Sequence, residues 1–196
     1  MISLTKNERR ALIILFKDFS SYHNANSLSK ILGISRVGTM KMLKKLHEEV
    51  LLTDKKIGKS IVYKPSLNDD YVMDLISFLL SDEANNFKRW KDEFKGLFKK
   101  NRVAMVYGSA IMDYSKARDV DIMVIRKKND ASEIYRVIAE RQKFISKRIH
   151  AIDLTFEEFI KNLNQKQKVV IDIAKNSIVL YGQKRYVELI KNVSSV

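Results

Sequence analysis

The sequence predicts an α+β protein with a strongly basic first part and a second part in which strands and helices alternate. Three observations lead to this prediction. The 196 residues include one proline and six glycines, and so few turn-forming residues favour a high helical content. Residues 1–66 carry 13 basic and 5 acidic side chains, whereas the remaining 130 residues carry 24 and 18. From residue 102 onward, short apolar runs are separated by segments of helix length, which is typical of alternating strands and helices.

The first three predicted elements are helices. Residues 8–19 place their apolar side chains on one stripe, which indicates an amphipathic helix. We expect a second helix to begin at Ser27, because serine is a good N-cap, and to end near Gly33, which suits the left-handed position after a helix. Ser35 is then placed to cap a third helix.

The third helix is predicted to have one buried and one exposed face. The buried face recurs at helical spacing and consists of Thr39, Met42, Leu43, Leu46 and Val50. The opposite face carries Arg36, Val37, Met40, Lys41 and Lys44. A helix with cationic and base-sized side chains opposite its buried stripe suits the major groove, where cations contact phosphates and the first turns reach base edges. These five residues are therefore candidate contacts to double-stranded DNA.

A hairpin is predicted after the third helix. Its strands are expected at 51–55 and 60–64, around the turn Lys56-Ile57-Gly58-Lys59. The tip carries Lys55, Lys56 and Lys59, which are suited to backbone phosphates or to the minor groove.

Residues 67–100 are predicted to form linking helices. One apolar series at helical spacing lies within 71–79 and a second lies within 87–97, with a polar interruption at 81–86 between them. We expect two helices that join or kink at this interruption. Their apolar surface exceeds what one thin linker can bury, which predicts a homodimer.

The remaining residues, 101–196, contain the pattern that carries chemistry. An apolar strand at 103–107 runs into Gly108 and Ser109, where the backbone and the amides of a following helix can approach phosphate oxygens. Asp119 and Asp121 follow on a second predicted strand. Side chains two residues apart share one face of a strand, so both carboxylates can converge on one hard cation. Without a cation the two carboxylates repel each other, which makes them costly as mere structure.

Residues 1–66 resemble the winged helix-turn-helix domain of bacterial and archaeal transcription regulators. The resemblance is carried by residues 27–35, by Leu43-Lys44-Lys45-Leu46 and by Ile61-Val62-Tyr63 at the end of the hairpin, or wing. One departure is Val50, where many relatives have a glycine before the first wing strand. The resemblance implies DNA binding through the third helix and the wing. The alternative is a winged helix that contacts only proteins, with its lysines forming a solvated face.

Residues 102–182 resemble the nucleotidyltransferase superfamily, the group that includes DNA polymerase beta. The matching residues are Gly-Ser at 108–109, Asp-Val-Asp at 119–121 and the late strand 177–182. The resemblance implies a mixed sheet flanked by helices in which Asp119 and Asp121 bind Mg²⁺ and a nucleoside triphosphate, ATP being the expected one. It also implies that Asp153 supplies the third catalytic carboxylate and that Gly108 and Ser109 hold the phosphates.

Departures from that family lie between the glycine and the aspartates. Many minimal members carry an arginine soon after Gly-Ser, whereas this chain has Ala-Ile-Met-Asp at 110–113. Arg118 precedes the first aspartate, where serine is frequent, and either Arg118 or Lys116 could replace the missing phosphate contact. His150 lies three residues before Asp153, so alternation places it on the opposite face of that strand. We therefore expect His150 to be a structural or surface residue.

Composition limits the possible functions further. A net charge of +14 and a pI near 9.8 favour a polyanionic partner. The absence of cysteine excludes a disulfide framework, a thiolate zinc site and a thiol nucleophile, and three histidines argue against a histidine-rich metal site. No apolar run approaches the roughly 20 residues that cross a bilayer, and the first residues have no signal-peptide pattern. We expect a cytoplasmic protein without a membrane partner.

These features predict three domains, 1–66 for DNA binding, 67–100 for linking and dimerisation, and 101–196 for nucleotidyl transfer. Three hypotheses for function follow. The first is a DNA-binding protein whose second part transfers a nucleoside monophosphate to an unknown hydroxyl group with Mg²⁺. The second is a regulator without enzymatic activity, in which the same fold senses a nucleotide or metal or only dimerises. The third is an RNA-binding or RNA-modifying enzyme, for which the sequence shows no exposed row of stacking aromatic residues.

Overall fold

The computed structural model describes residues 3–194, and the chain divides into two compact units, Met1–Leu79 (unit 1) and Leu80–Val196 (unit 2). The predicted α+β class is confirmed, because the described residues form helices together with a two-stranded and a four-stranded sheet. The boundary lies inside the segment 67–100, so the residues predicted to be a separate linking region belong partly to each unit. Among residues 3–194, no helix combines the length and apolar character needed to cross a bilayer.

Unit 1 consists of three helices, an antiparallel hairpin and the start of a fourth helix. In chain order the elements are α1 (Lys6–Lys17), α2 (Ala25–Leu32), α3 (Arg36–Glu48), β1 (Leu52–Ile57), β2 (Ser60–Pro65) and α4 (Asp70–Asn85). Leucine and phenylalanine side chains of α1, including Leu12 and Phe16, are buried together with Leu28 of α2 and Leu43 and Leu46 of α3. This is the order of elements that the sequence predicts for a winged helix.

Helix α2 begins earlier than the sequence analysis expects. Asn24 is the N-cap, and its side-chain oxygen accepts a hydrogen bond from the Ser27 backbone N–H at 2.9 Å. The Ser27 hydroxyl accepts in return from the Asn24 N–H at 3.0 Å, so the two side chains form a capping box. The prediction of Ser27 as N-cap was wrong by three positions. Ser35 does cap α3, because its hydroxyl accepts from the Gly38 N–H at 3.1 Å.

Val50 does not belong to the buried face of α3. Thr39, Leu43 and Leu46 are fully buried as predicted, but the helix ends at Glu48, and Val50 is 64% exposed. Its φ is 63°, in the left-handed region that β-branched residues rarely adopt. The helix must stop before Val50 completes the stripe, because the chain turns there into β1. Val50 therefore holds the corner that many winged helices give to glycine.

Unit 2 contains a four-stranded sheet with helices on both faces. After the end of α4, its elements are α5 (Lys88–Phe94), a 3-10 turn (Lys95–Leu97), β3 (Val103–Tyr107), a 3-10 turn (Ser109–Ile111), β4 (Asp119–Arg126), α6 (Ala131–Gln142), β5 (Arg148–Thr155), α7 (Phe156–Asn164), α8 (Lys168–Asn176), β6 (Ile178–Tyr181) and α9 (Gln183–Ser194). The linking segment forms two helices, as expected, but the break between them lies at residues 86–87, because α4 continues through most of the polar interruption as far as Asn85.

The strand order is β5-β4-β3-β6, with β4 and β5 parallel and the other neighbours antiparallel. One face carries alternate residues such as Val120, Ile122 and Val124, which pack in a core with Trp90 and Phe94 of α5 and with residues of α6. Helices α7 and α9 contact the sheet, and the period of two assigns Met105 and Met123 to the face on their side. Asp119, Asp121 and Tyr107 belong to this second face, at the end of the strands.

A buried arginine fastens the start of β3. The Arg102 side chain has no exposed surface, and its Nε donates to Asp130 Oδ2 at 2.7 Å. One terminal nitrogen donates to Glu133 Oε2 at 2.5 Å, and Lys99 pairs with the same carboxylate. The hydrogen bond to Asp130 is the largest influence that raises the pKa of Arg102, and burial opposes it. This cluster ties the loop before α6 and the first turn of that helix to the strand that leads to Gly108.

Candidate functional sites

The exposed face of α3 holds all five residues that the sequence assigns to it. Val37 is 59% and Met40 is 54% exposed, and Arg36, Lys41 and Lys44 are also exposed. Positions 36, 37, 40, 41 and 44 form one continuous stripe along the helix. Lys44 has an acidic neighbour, Glu48, at 3.7 Å, in an exposed pair that water screens strongly. The stripe therefore presents two apolar side chains between three cations.

The hairpin is tighter than predicted. The register pairs Ile57 with Ser60, so the turn consists of Gly58 and Lys59 alone, with Gly58 at a φ of 58°. Lys56 lies in β1 rather than in the turn, because both strands continue to the turn. Lys55, Lys56 and Lys59 are nevertheless all exposed, as predicted. Alternation directs Lys55 and Lys56 to opposite faces of the ribbon, so its tip carries positive charge on both sides.

The carboxylate pair of unit 2 lies beside a histidine from the neighbouring strand. The parallel register of β4 and β5 pairs Asp121 with His150 and so places them on the same face of the sheet. The Nδ1 atom of His150 lies 3.3 Å from Asp119 Oδ2 and 3.7 Å from Asp121 Oδ1. One ligating atom from each residue lies within 4.8 Å of the other two. Two predicted residues are thus brought together with one that the sequence analysis assigned no role.

The electrostatics of this cluster are those of crowded negative charge. Burial raises the pKa of Asp121, and the neighbouring Asp119 raises it further. Burial, followed by the charges of Asp121 and Asp119, raises the pKa of Tyr107 to about 12, so its hydroxyl stays protonated at neutral pH. Tyr107 pairs with Asp121 across β3 and β4. A bound cation would relieve the repulsion between the carboxylates.

Gly108 brings the main chain against Asp121. Its φ is 77°, and a Cβ built on it would lie well under 3.0 Å from Asp121 Oδ2. Only glycine therefore leaves the carboxylate in its place. Gly108, predicted to hold phosphates, thus lies directly against one of the two predicted metal ligands. The helix expected after Ser109 is a single 3-10 turn of three residues, so it supplies no row of helical amides for phosphates.

A cavity of about 330 Å³ opens beside Gly108. Tyr107 and Gly108 line one side, and the other side is formed by residues of α8, namely Val169, Asp172, Ile173 and Asn176. Because Gly108 also borders Asp121, the cavity and the carboxylate cluster adjoin each other. The arrangement places an open, partly apolar space next to a potential cation.

Asp153 is not part of this cluster, which overturns its predicted role as the third carboxylate. It pairs with Val124 in the parallel register and therefore lies on the opposite face from Asp121. Arg126 donates through Nε to Asp153 Oδ2 at 2.7 Å, and Tyr135 of α6 donates to the other oxygen. Burial raises the pKa of Asp153, but these hydrogen bonds outweigh it and hold that pKa below its ordinary value. Asp153 fastens α6 to the sheet.

The sequence does not show which face of β5 turns toward the aspartates, and the expectation for His150 rests on the wrong face. Alternation correctly puts His150 and Asp153 on opposite faces. Choosing the face required the register between β4 and β5, which pairs residues 119–126 with 148–155 without a shift. The sequence signal for this register is the polar residue at the start of each strand. Aligning Asp119 of β4 with Arg148 of β5 brings Asp121 opposite His150.

Comparisons with known proteins add one remote likeness. No protein-family model matches the chain, and no curated protein matches it. Among solved structures, a cysteine-to-serine mutant of Lactococcus lactis ZitR in complex with DNA aligns at 16% identity with a TM-score of 0.37. The alignment covers 48% of this chain and 64% of the ZitR chain, which is less than two thirds of that protein. So low a TM-score does not establish a shared fold.

Proposed function

We propose that the protein binds duplex DNA through α3 and the β1–β2 hairpin. The observation that carries the proposal is the exposed stripe of α3, in which Val37 and Met40 lie between Arg36, Lys41 and Lys44. The major groove is about 12 Å wide and admits one α-helix. Arg36 is the first residue of α3. In a recognition helix, the N-terminal residues are the ones that reach base edges. The lysines of the hairpin add contacts to phosphates on the flanking backbone.

The two groups of cations are expected to have different effects on binding. Arg36→Ala should weaken binding to a preferred sequence by about 1 to 3 kcal/mol and relax the preference, because a base contact is lost. Lys59→Ala should weaken binding to all sequences alike and reduce the salt slope by about 1, because a phosphate contact is lost. Fluorescence anisotropy with a duplex selected from a random pool and with a scrambled duplex, at several salt concentrations, measures both effects.

A matched control is Lys161→Ala, which removes the same charge from an exposed position of α7 in unit 2. If Arg36→Ala and Lys59→Ala change the isotherms no more than this control does, α3 and the hairpin do not contact DNA as proposed.

The homodimer stays a prediction. The exposed Tyr71 and Phe78 of α4 are the side chains that a second copy would cover.

A second candidate function concerns unit 2, where Asp119, Asp121 and the adjoining cavity favour binding of a divalent cation with a nucleoside triphosphate. A cation between the two carboxylates and a triphosphate neutralises both negative groups. The cavity beside Gly108 offers room for the base or the sugar. Since Asp153 faces α6, the described residues supply two of the three carboxylates expected for nucleotidyl transfer. We therefore propose nucleotide binding. Nucleotidyl transfer would in addition require the third carboxylate.

Binding is measured as a shift of the thermal midpoint. A nucleoside triphosphate with a divalent cation at 100 times its dissociation constant stabilises the folded state by about 2.7 kcal/mol, which raises the midpoint by several degrees. Asp121→Asn should remove this shift, and Asp92→Asn, at an exposed position of α5, should keep it. A wild-type midpoint that no nucleotide moves would contradict the proposal. Label from an α-phosphate-labelled nucleotide on protein or nucleic acid would establish transfer.

A further inference from the structure

We infer that the carboxylate cluster of unit 2 is a site for one first-row transition-metal ion, with His150 as its third ligand, rather than a site for a pair of Mg²⁺ ions. The inference rests on the second function proposed above, cation binding at Asp119 and Asp121, and names the class of cation. It gives a role to the histidine that the parallel register places beside the two aspartates.

The geometry fits a single ion. Ligating atoms at 2.0 to 2.2 Å from one ion lie at most about 4.4 Å apart. The candidate atoms of Asp119, Asp121 and His150 all lie within 4.8 Å of one another, so small side-chain rotations complete the set. The His150 side chain is 45% exposed, and those of Asp119 and Asp121 are 32% and 22% exposed. The positions of the ion that the protein does not occupy would therefore be open to water or to a phosphate oxygen.

The chemistry of the donors favours a transition metal. Imidazole suits ions such as Zn²⁺, whereas Mg²⁺ prefers an octahedron of oxygen ligands. Three protein ligands with an open position are the usual arrangement of zinc sites that bind a further molecule. Gly108 borders Asp121 and also lines the cavity, so a molecule bound in the cavity would lie beside the glycine that touches the cluster.

The same residues do not fit a pair of Mg²⁺ ions. Within residues 3–194 the one metal-type cluster consists of the two aspartates and His150, and its imidazole nitrogen is a donor that Mg²⁺ does not prefer. Asp153, the carboxylate nearest along β5, faces the other side of the sheet and is held by Arg126 and Tyr135. We therefore derive no catalytic step through two magnesium ions.

The test is direct titration of the full chain with Zn²⁺ and with Mg²⁺ by calorimetry, without nucleotide. Because most sites with nitrogen and oxygen ligands bind Zn²⁺ more tightly than Mg²⁺, the dependence on His150 decides, not the affinity ratio alone. We expect one Zn²⁺ per chain. His150→Ala should weaken Zn²⁺ binding by at least about 10-fold and change Mg²⁺ binding little, because imidazole contributes to the first and not to the second. His150→Asp should bring the affinities for Zn²⁺ and Mg²⁺ closer together, because it replaces a nitrogen ligand with an oxygen ligand.

His47→Ala is the matched control, because the side chain of His47 is also 45% exposed and lies beside one acid, Asp54, in unit 1. Zn²⁺ binding that is unchanged in His150→Ala, or lost equally in His47→Ala, would overturn the inference while leaving cation binding by the aspartates intact. Two bound ions per chain would overturn it as well. If a folded wild-type chain bound neither ion, the inference would be overturned, and the thermal shift with nucleotide and cation together would still decide the second proposed function separately.

Discussion

Replacing Gly108 with alanine is expected to abolish cation binding by unit 2. The added Cβ would lie well under 3.0 Å from Asp121 Oδ2, so this carboxylate must leave the position in which it forms the cluster with Asp119 and His150. Losing one of three ligands should weaken binding by more than about 100-fold, beyond the 10- to 100-fold effect of removing a group that only supports a ligand. Calorimetric titration with Zn²⁺ measures the loss.

The control for Gly108→Ala is Gly58→Ala in the hairpin turn of unit 1. Gly58 also has a positive φ, of 58°, but no atom lies within 4 Å of the position of its Cβ. Gly58→Ala controls for alanine at a positive φ, which costs about 1 to 2 kcal/mol in the left-handed region. Gly108 has φ 77° and ψ -162°, a region essentially restricted to glycine, so Gly108→Ala carries the greater backbone strain. Only Gly108→Ala displaces a ligand. Cation affinity equal to that of wild type in Gly108→Ala would mean that Asp121 does not bind the ion.

Replacing Arg102 with alanine is expected to destabilise unit 2 by about 3 to 4 kcal/mol. The substitution leaves a cavity in place of a fully buried side chain and removes hydrogen bonds to Asp130 and Glu133. The expected loss stays in the lower part of the range for buried pairs because both acids keep some exposure to water. Denaturant unfolding followed by Trp90 fluorescence measures the loss, since Trp90 is the single tryptophan and is buried in unit 2.

Arg136→Ala is the comparison for Arg102→Ala. Arg136 also pairs with Glu133, at 3.9 Å, but its side chain is 69% exposed. An exposed pair contributes about 0 to 1 kcal/mol, so this variant should unfold close to wild type. Equal effects of the two variants would mean that burial of Arg102 contributes nothing, which would contradict the account of the cluster.

Local patterns in the sequence predicted the parts of the fold that depend on local physics. The exposed stripe of α3 follows from helical periodicity, and Ser35 and Gly33 lie at the ends of helices as capping chemistry requires. The error at Ser27 has the same origin, because Asn24 is an equally good cap and the two residues cooperate in one capping box. The sequence alone does not show which of the two residues is the N-cap and which is the third residue of the helix.

The composition of the candidate cation site depended on a contact between strands, and there the sequence was insufficient. Asp119, Asp121 and Gly108 could be predicted because β3 and β4 carry recognisable polar ends. The third member depends on which residue of β5 pairs with Asp121, and that register is fixed by packing along the whole length of both strands. Asp153, three residues beyond His150, has the side chain expected of a Mg²⁺ ligand, but it lies on the other face of β5.

The two faces of β5 therefore have separate evolutionary freedom. His150, on one face, determines which ion the cleft can accept, and Asp153, on the other, attaches α6 to the sheet through Tyr135. A change of ligand at position 150 alters chemistry without touching the contacts that hold the strand in place. Descendants of this chain could exchange histidine for aspartate, glutamate or a neutral residue there while keeping the same scaffold. Because side chains alternate along β5, residues on one face can change the choice of ion while residues on the other face keep α6 attached to the sheet.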